Sequence, residues 1–174
     1  MLRTLAERGA AVRTLTIAAG VAHRDALTAA IEAATGEDTA PEGVLSLLAL
    51  GGEGAFAAGL ALSQALGDAH VTAPLWCLTR GAVAAGRVDR VEDPEQALIW
   101  GLGRVASMEH GERWGGLVDL PAEVDARVLE RLVGVLAGDG ARCGPRGCSC
   151  VVWCGRGCPR LRRCGSGVRP GPRW

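Results

Sequence analysis

Apolar residues recur along this chain in two alternating patterns, one typical of helices and one typical of buried strands. In His23–Thr35 they follow helical spacing, whereas Gly43–Leu50 reads GVLSLLAL with one polar residue. The alternation continues, and it predicts helices at 1–9, 23–35, 56–69, 94–109 and 123–137 with strands at 11–18, 43–50, 73–79 and 115–120. Continuous apolar strands separated by helices predict an α/β fold, in which helices cover both faces of a parallel sheet.

The composition changes abruptly near residue 140, and this divides the chain into two parts. Residues 1–140 contain 11 Arg and 19 acidic residues, a net charge of −8, whereas residues 141–174 contain 8 Arg and no acidic residue. Six of the seven cysteines lie between Cys143 and Cys164, in a segment without hydrophobic periodicity. We therefore expect a domain over residues 1–140 and a disordered tail over residues 141–174.

One segment carries a specific resemblance to a known family. Residues Ala97–Pro121 read ALIWGLGRVASMEHGERWGGLVDLP, which resembles the ketoreductase region of modular type I polyketide synthases. The strand segment at 43–50 and the run APLWCLTRGAV at 73–83 are similar to that region and follow in the family's order. The resemblance covers about residues 1–138 and falls in the structural, non-catalytic subdomain. It implies an incomplete, Rossmann-like parallel sheet with flanking helices.

The resemblance also implies partners and cofactors for a longer parent protein. In this family the structural subdomain supports a catalytic subdomain, which uses NADPH to reduce a β-ketoacyl chain carried on the phosphopantetheine of an acyl carrier protein. The biological process that the resemblance implies is polyketide biosynthesis, which includes the biosynthesis of antibiotics. We expect a cytoplasmic location without membrane partners, because no apolar run is long enough to span a bilayer and Met1–Ala10 lacks the apolar core of a signal peptide. We also expect no nucleic-acid partner.

The sequence does not supply the reductase machinery that the family's catalytic subdomain uses. The candidate phosphate loop, Gly51–Gly54, reads GGEG rather than G-x-G-x-x-G, and Glu53 would bring a negative charge towards a pyrophosphate. The family's Tyr, Ser and Lys set cannot be assembled, because the chain contains neither Tyr nor Lys. We assign no catalytic, cofactor-binding or metal-ligating residue, and we expect no ketoreductase activity from this chain alone.

The remaining chemistry-bearing side chains have simpler structural interpretations. His70 and His110 follow predicted helices and are expected to cap their ends, while His23 is distant from both in sequence. Cys77 lies in an apolar strand and is expected to be a small core residue. Trp100 and Trp114 are expected to pack in the core rather than to stack on a ligand.

The tail leaves open two other hypotheses. Its six cysteines include the spacing Cys150-x3-Cys154-x3-Cys158, which partly fits a zinc site, and its arginines and tryptophans suit nonspecific nucleic-acid binding. A reading-frame shift near Gly140 is the simpler explanation, because shifted GC-rich codons for Ala141–Gly157 permit AVRSAGVFVRRLVRAG, which resembles the family's continuation. For the whole chain, a stand-alone α/β enzyme with an unrecognised site is a weaker alternative. On the favoured interpretation the chain is a ketoreductase piece truncated at both ends.

Overall fold

The chain forms a four-stranded sheet with helices on both faces in a computed structural model that describes residues 2–18, 22–35, 40–84, 90–136 and 151–153. In chain order the elements are α1 (Leu2–Glu7), α2 (Arg24–Thr35), β1 (Val44–Ser46), α3 (Ala55–Asp68), β2 (Leu75–Arg80), α4 (Ala97–Glu109), β3 (Trp114–Leu120), α5 (Ala126–Leu136) and β4 (Val151–Trp153). Strands therefore alternate with helices up to α5, as the apolar pattern predicts.

The sheet has the order β1-β2-β3-β4. The first three strands are parallel, and β4 is antiparallel to β3. The three parallel strands with their flanking helices confirm the predicted Rossmann-like α/β class. The β2–β3 register is interrupted once, because Leu75 pairs with Trp114 but Trp76 pairs with Gly116, so Gly115 is an extra residue in β3.

Two apolar clusters cover the two faces of the sheet. On the first face, residues of α2, α3 and α4 such as Leu27, Leu66 and Ile99 pack with the side chains of β2 and β3 that point to that side. On the second face, residues of α5 such as Leu132 pack against Val118 and its neighbours. The short helix α1 contacts α5 and therefore lies on the second face. The alternating strand residues thus supply both halves of the core.

The predicted strand at 11–18 is wrong, because the structure has no helix or strand there. Strand backbone needs a neighbouring strand for its hydrogen bonds, and among the described residues β1 pairs only with β2. The segment instead packs by its side chains: Ile17 contacts the first apolar cluster, and the Arg13 guanidinium donates to the Ala34 carbonyl.

Polar side chains shorten two elements relative to the sequence prediction. The strand predicted over 43–50 ends at Ser46, whose hydroxyl accepts a hydrogen bond from the Leu48 amide at 3.4 Å, and a 3-10 turn follows at Leu48–Gly51. The helix predicted from residue 94 begins at Ala97. The Asp93 carboxylate accepts bonds from the Glu95 and Gln96 amides at 3.1 and 3.2 Å, so it still caps the turn that leads into α4.

Strand β4 was not expected from the sequence. Val151–Trp153 joins the edge of β3 with Asp119 opposite Val151 and Leu117 opposite Trp153, whereas the prediction was a disordered tail. Two valines and a tryptophan have high β propensity, and the edge of β3 offers unpaired backbone groups, which explains a short strand here. The rest of residues 141–174, with all six tail cysteines, lies outside the described residues.

Candidate functional site

The carboxyl ends of β2 and β3 carry a buried polar cluster, which we call the Asp119 cluster. Asp119 is only 5% exposed, and the strand register places it beside Thr79. The Thr79 hydroxyl donates to Asp119 Oδ1 at 2.7 Å and accepts from the Trp100 indole nitrogen at 3.0 Å. The Asp119 carboxylate also accepts from the amides of Ala82 and Val83, at 3.0 and 3.3 Å. The cluster therefore joins β2, β3, α4 and the loop after β2.

The loop after β2 is held by a second set of bonds. Gly81 has a φ of +64°, and its carbonyl accepts from the amides of Glu92 and Asp93 at 2.8 and 3.0 Å. A glycine suits this left-handed turn because it has no Cβ to clash. Gln96 accepts from the Arg80 amide at 2.8 Å and donates to Asp93 at 2.7 Å. Hydrogen bonding to Gln96 lowers the pKa of Asp93, so this carboxylate stays ionised and keeps accepting.

These contacts use the polar groups at the position where an open α/β sheet usually binds its ligands. That place is the crevice at the carboxyl ends of the parallel strands. Here the carboxylate at the end of β3 is directed inward and accepts from three donors of its own chain. A carboxylate used in this way fixes a loop and is not presented to a substrate as an acid or base.

The glycine segment after β1 forms an open loop. A Cβ built on Gly51, Gly52 or Gly54 would meet no atom within 4 Å, and Glu53 is exposed. Helix α3 begins at Ala55 and has no side-chain cap at Gly54. The open geometry favours a plain loop over a phosphate cradle, and Glu53 would bring a negative charge towards a bound phosphate.

His70, His110 and Cys77 occupy the positions that the sequence indicates. His70 lies just beyond α3, with its amide bonded to the Gly67 carbonyl, and the His110 amide bonds to the Ala106 carbonyl at the end of α4. Cys77 is buried in β2, and burial raises the pKa of its thiol to about 12. Such a thiol is almost entirely protonated at neutral pH and is a poor nucleophile.

The two tryptophans confirm the packing interpretation and add one polar contact. Trp114 is buried, and its indole faces Gly103 of α4 so closely that a Cβ there would lie 2.6 Å from Trp114 Cζ2. Trp100 packs beside the first apolar cluster and donates to Thr79. This donor–acceptor chain was not predicted from the sequence. The signal that could have indicated it is a Thr and an Asp, each near the end of an otherwise apolar strand.

The parts of the chain that the structure describes contain neither a metal site nor a membrane-spanning helix. Within those ranges no group of three or more His, Cys, Asp or Glu side chains is placed to hold a metal ion. None of the helices there combines the length and the apolar character that crossing a bilayer requires.

Comparison with known proteins identifies close relatives. The family described as "Polyketide synthase extender module SpnB, Rossmann fold domain" matches residues 3–146. Polyketide synthase GfsA of Streptomyces halstedii is 52% identical over 145 residues, which is 78% of this chain and 2% of GfsA. Erythronolide synthase EryA3 of Saccharopolyspora erythraea is 52% identical over 119 residues, 68% of this chain and 4% of EryA3. The chain therefore spans a few per cent of the length of these synthases.

Solved structures agree with the sequence relatives. A C2-type ketoreductase from a modular polyketide synthase has a TM-score of 0.71 and 46% identity, covering 79% of this chain and 32% of that one. An A1-type ketoreductase has a TM-score of 0.68 and 44% identity, covering 79% and 31%. The chain thus belongs to the Rossmann fold domain family of polyketide synthase extender modules, and it is a piece of a ketoreductase region.

Proposed function

We propose that this chain is the structural part of a polyketide synthase ketoreductase and does not itself carry out the reduction. The Asp119 cluster is the observation that carries this proposal. Its carboxylate and hydroxyl lie at the carboxyl ends of the strands, and both are used to hold the loop after β2 and helix α4. The lack of any Tyr or Lys in the sequence supports the same conclusion.

The reduction belongs to the remainder of the ketoreductase. NADPH bound by that part would supply the hydride for the β-carbonyl carbon of an acyl chain, and residues outside this chain would supply the proton for its oxygen. The acyl chain is carried on the phosphopantetheine of an acyl carrier protein. The contribution of this chain is a rigid α/β unit against which the catalytic part folds, in a cytoplasmic synthase. Its partners are the catalytic part and the other synthase domains.

The proposal predicts how the purified 174-residue chain behaves with NADPH. We expect no change in NADPH fluorescence on titration and no turnover of a β-ketoacyl thioester, because neither a phosphate cradle nor a proton donor is available in the described site. A complete ketoreductase from a related synthase serves as the positive control in the same assay. Saturable NADPH binding by this chain at micromolar concentration would refute the proposal.

A further inference from the structure

A small cavity lies at the amino ends of β2 and β3, at the opposite end of the sheet from the Asp119 cluster. It is lined by the last two turns of α3, the end of α4 and the turn that leads into β3, and its lining includes Ser63, Ala106, His110, Arg113 and Trp114. The space that is open to the centre of a water molecule is about 10 Å³. We call this space the Trp114 cavity.

The Trp114 indole contributes a buried donor that has no acceptor within the described residues. Trp114 is 9% exposed, and its Nε1 is sealed from solvent without a hydrogen-bond partner there. A Cβ on Gly103 would lie 2.6 Å from Trp114 Cζ2, so the ring edge that carries Cζ2 and Nε1 faces α4. Ala106 lies one turn further along the same side of α4 and lines the cavity, which directs the nitrogen towards it. An unpaired buried N–H destabilises the folded state, so we expect an acceptor at this position.

The Arg113 guanidinium adds further donors to the same cavity. Its side chain is 20% exposed, and Glu112, its ionic partner among the described residues, lies 3.6 Å away and is itself 71% exposed. That distance is too long for a hydrogen bond, and an ion pair with so exposed a partner contributes little to stability. A Cβ on Gly67 would lie 3.0 Å from Arg113 Nη1, so the guanidinium lies against the end of α3. Indole and guanidinium nitrogens only donate, and the cavity therefore suits an acceptor.

The ends of two helices decide whether that acceptor is an anion or a water molecule. Both α3 and α4 end beside the cavity, and each carboxyl end is equivalent to about half a negative charge. Together the two ends offset the positive charge of Arg113, so little attraction for an anion is left. Water can accept from the nitrogens and also donate to the last carbonyl oxygens of the helices, which have no partner within a helix. A space of about 10 Å³ also suits one water molecule.

We propose that the Trp114 cavity binds one ordered water molecule. This water accepts hydrogen bonds from Trp114 Nε1 and the Arg113 guanidinium, and it donates to carbonyl oxygens at the ends of α3 and α4. Because Nε1 is sealed by its neighbours, the water reaches it when the flexible Arg113 side chain turns slightly away from Gly67. The inference goes beyond the proposed function: it gives the α/β unit a polar contact at the amino ends of the strands, in addition to the Asp119 cluster at the carboxyl ends.

The direct test detects the water beside the indole. It uses a complete ketoreductase in which residues 2–136 of this chain replace the matching part of the C2-type protein. We expect its crystal structure to show a water molecule at about 2.7–3.2 Å from Trp114 Nε1. Nuclear magnetic resonance should show a cross-peak between the Trp114 indole proton and a long-lived water, and Trp114→Phe assigns that cross-peak by removing the proton. The absence of both the water and the cross-peak overturns the proposal.

Replacing the indole by benzothiophene gives a second readout, in which the sign of the effect is decisive. Trp114→benzothienylalanine keeps nearly the same ring shape and exchanges the N–H for sulfur. If a water accepts from Nε1, the substitution removes a hydrogen bond and should raise the unfolding equilibrium constant of the complete ketoreductase about fivefold. If Nε1 has no partner, it removes an unpaired donor and should lower that constant, which would overturn the proposal. Trp100→benzothienylalanine is the matched control, because the Trp100 nitrogen donates to Thr79 at 3.0 Å, and it should raise the constant by a similar factor.

A chloride titration tests the anion as the alternative occupant. When chloride replaces gluconate at constant ionic strength, the urea midpoint of the complete ketoreductase should stay unchanged, because a bound water needs no counter-ion. A stabilisation that saturates with chloride, and that disappears in Arg113→Gln, would assign the cavity to an anion and overturn the proposal.

Discussion

Replacing Asp119 by alanine is expected to lower the free energy of unfolding by about 3 kcal/mol, because three donors lose a charged acceptor. The Thr79 hydroxyl, the Ala82 amide and the Val83 amide all bond to this carboxylate, and the first two bonds are buried. The loop after β2 and the first turn of α4 should loosen together, since Thr79 also accepts from Trp100. The change would be measured by urea unfolding, monitored by circular dichroism, of a complete ketoreductase that contains this chain.

Two further variants test whether the loss of stability in Asp119→Ala comes from the hydrogen bonds to this carboxylate. Asp119→Asn keeps Oδ1 as an acceptor for Thr79 and Ala82, and it should cost less than the alanine variant. Glu42→Ala removes a carboxylate from an exposed residue and should stay within about 0.5 kcal/mol of the original protein. If Asp119→Ala and Glu42→Ala unfold at the same urea concentration, the Asp119 cluster does not hold the loop.

The second large effect is a low stability of the chain alone, which we expect because the outer edge of β1 has no partner strand within the described ranges. The reactivity of the Cys77 thiol can measure it. Within the described ranges β1 pairs only with β2. The apolar side chains of Val12 and Leu15, which follow α1 in sequence, and of Leu47, which follows β1, are exposed. Apolar surface that stays in contact with water does not help to offset the conformational entropy that the chain loses on folding. We expect the chain alone to be marginally stable, with exposed apolar surface or a tendency to aggregate.

Labelling the Cys77 thiol tests this expectation. In the folded protein its pKa rises from 9.0 to about 12 through burial. That rise lowers the thiolate fraction near neutral pH about a thousandfold, and reaction with a disulfide reagent should slow accordingly. With the six tail cysteines changed to serine, Cys77 should react nearly as fast as an unfolded thiol in the chain alone. Adding a strand to the outer edge of β1, from a related ketoreductase, should protect it.

The opposite result has a clear meaning. A chain that unfolds cooperatively as a monomer, with Cys77 protected and slow amide exchange in β1, β2 and β3, would be a complete domain. The expectation of a truncated fold would then be wrong.

Local patterns were sufficient to predict most elements of this fold. The apolar spacing located five helices and the strands β1, β2 and β3, and all of these elements except α1 contribute buried residues to the structure. The same reasoning failed at residues 11–18, where alternating residues have no described strand to pair with. It also missed β4, since β propensity over three residues is uninformative until the edge of β3 is known.

The polar contacts required tertiary information. Thr79 and Asp119 are 40 positions apart in sequence, and only the parallel register of β2 and β3 makes them neighbours. Trp100 joins them because α4 crosses that end of the sheet, which no periodicity reveals. By contrast, the absence of Tyr and Lys is evident in the sequence itself, and it limits the acid–base chemistry that the chain can perform.

The extra residue in β3 makes the strand sensitive to the length of its Trp114–Leu117 segment. In a regular strand Trp114 and Leu117 would point to opposite faces, yet both belong to the first apolar cluster. The interruption at Gly115 resets the alternation between them, and its missing side chain leaves room for the Trp76 indole. Removing one glycine here would turn Trp114 to the other face and empty its place against Gly103. Relatives that differ in length should therefore place their insertions and deletions elsewhere, in the loops after β1 and β2.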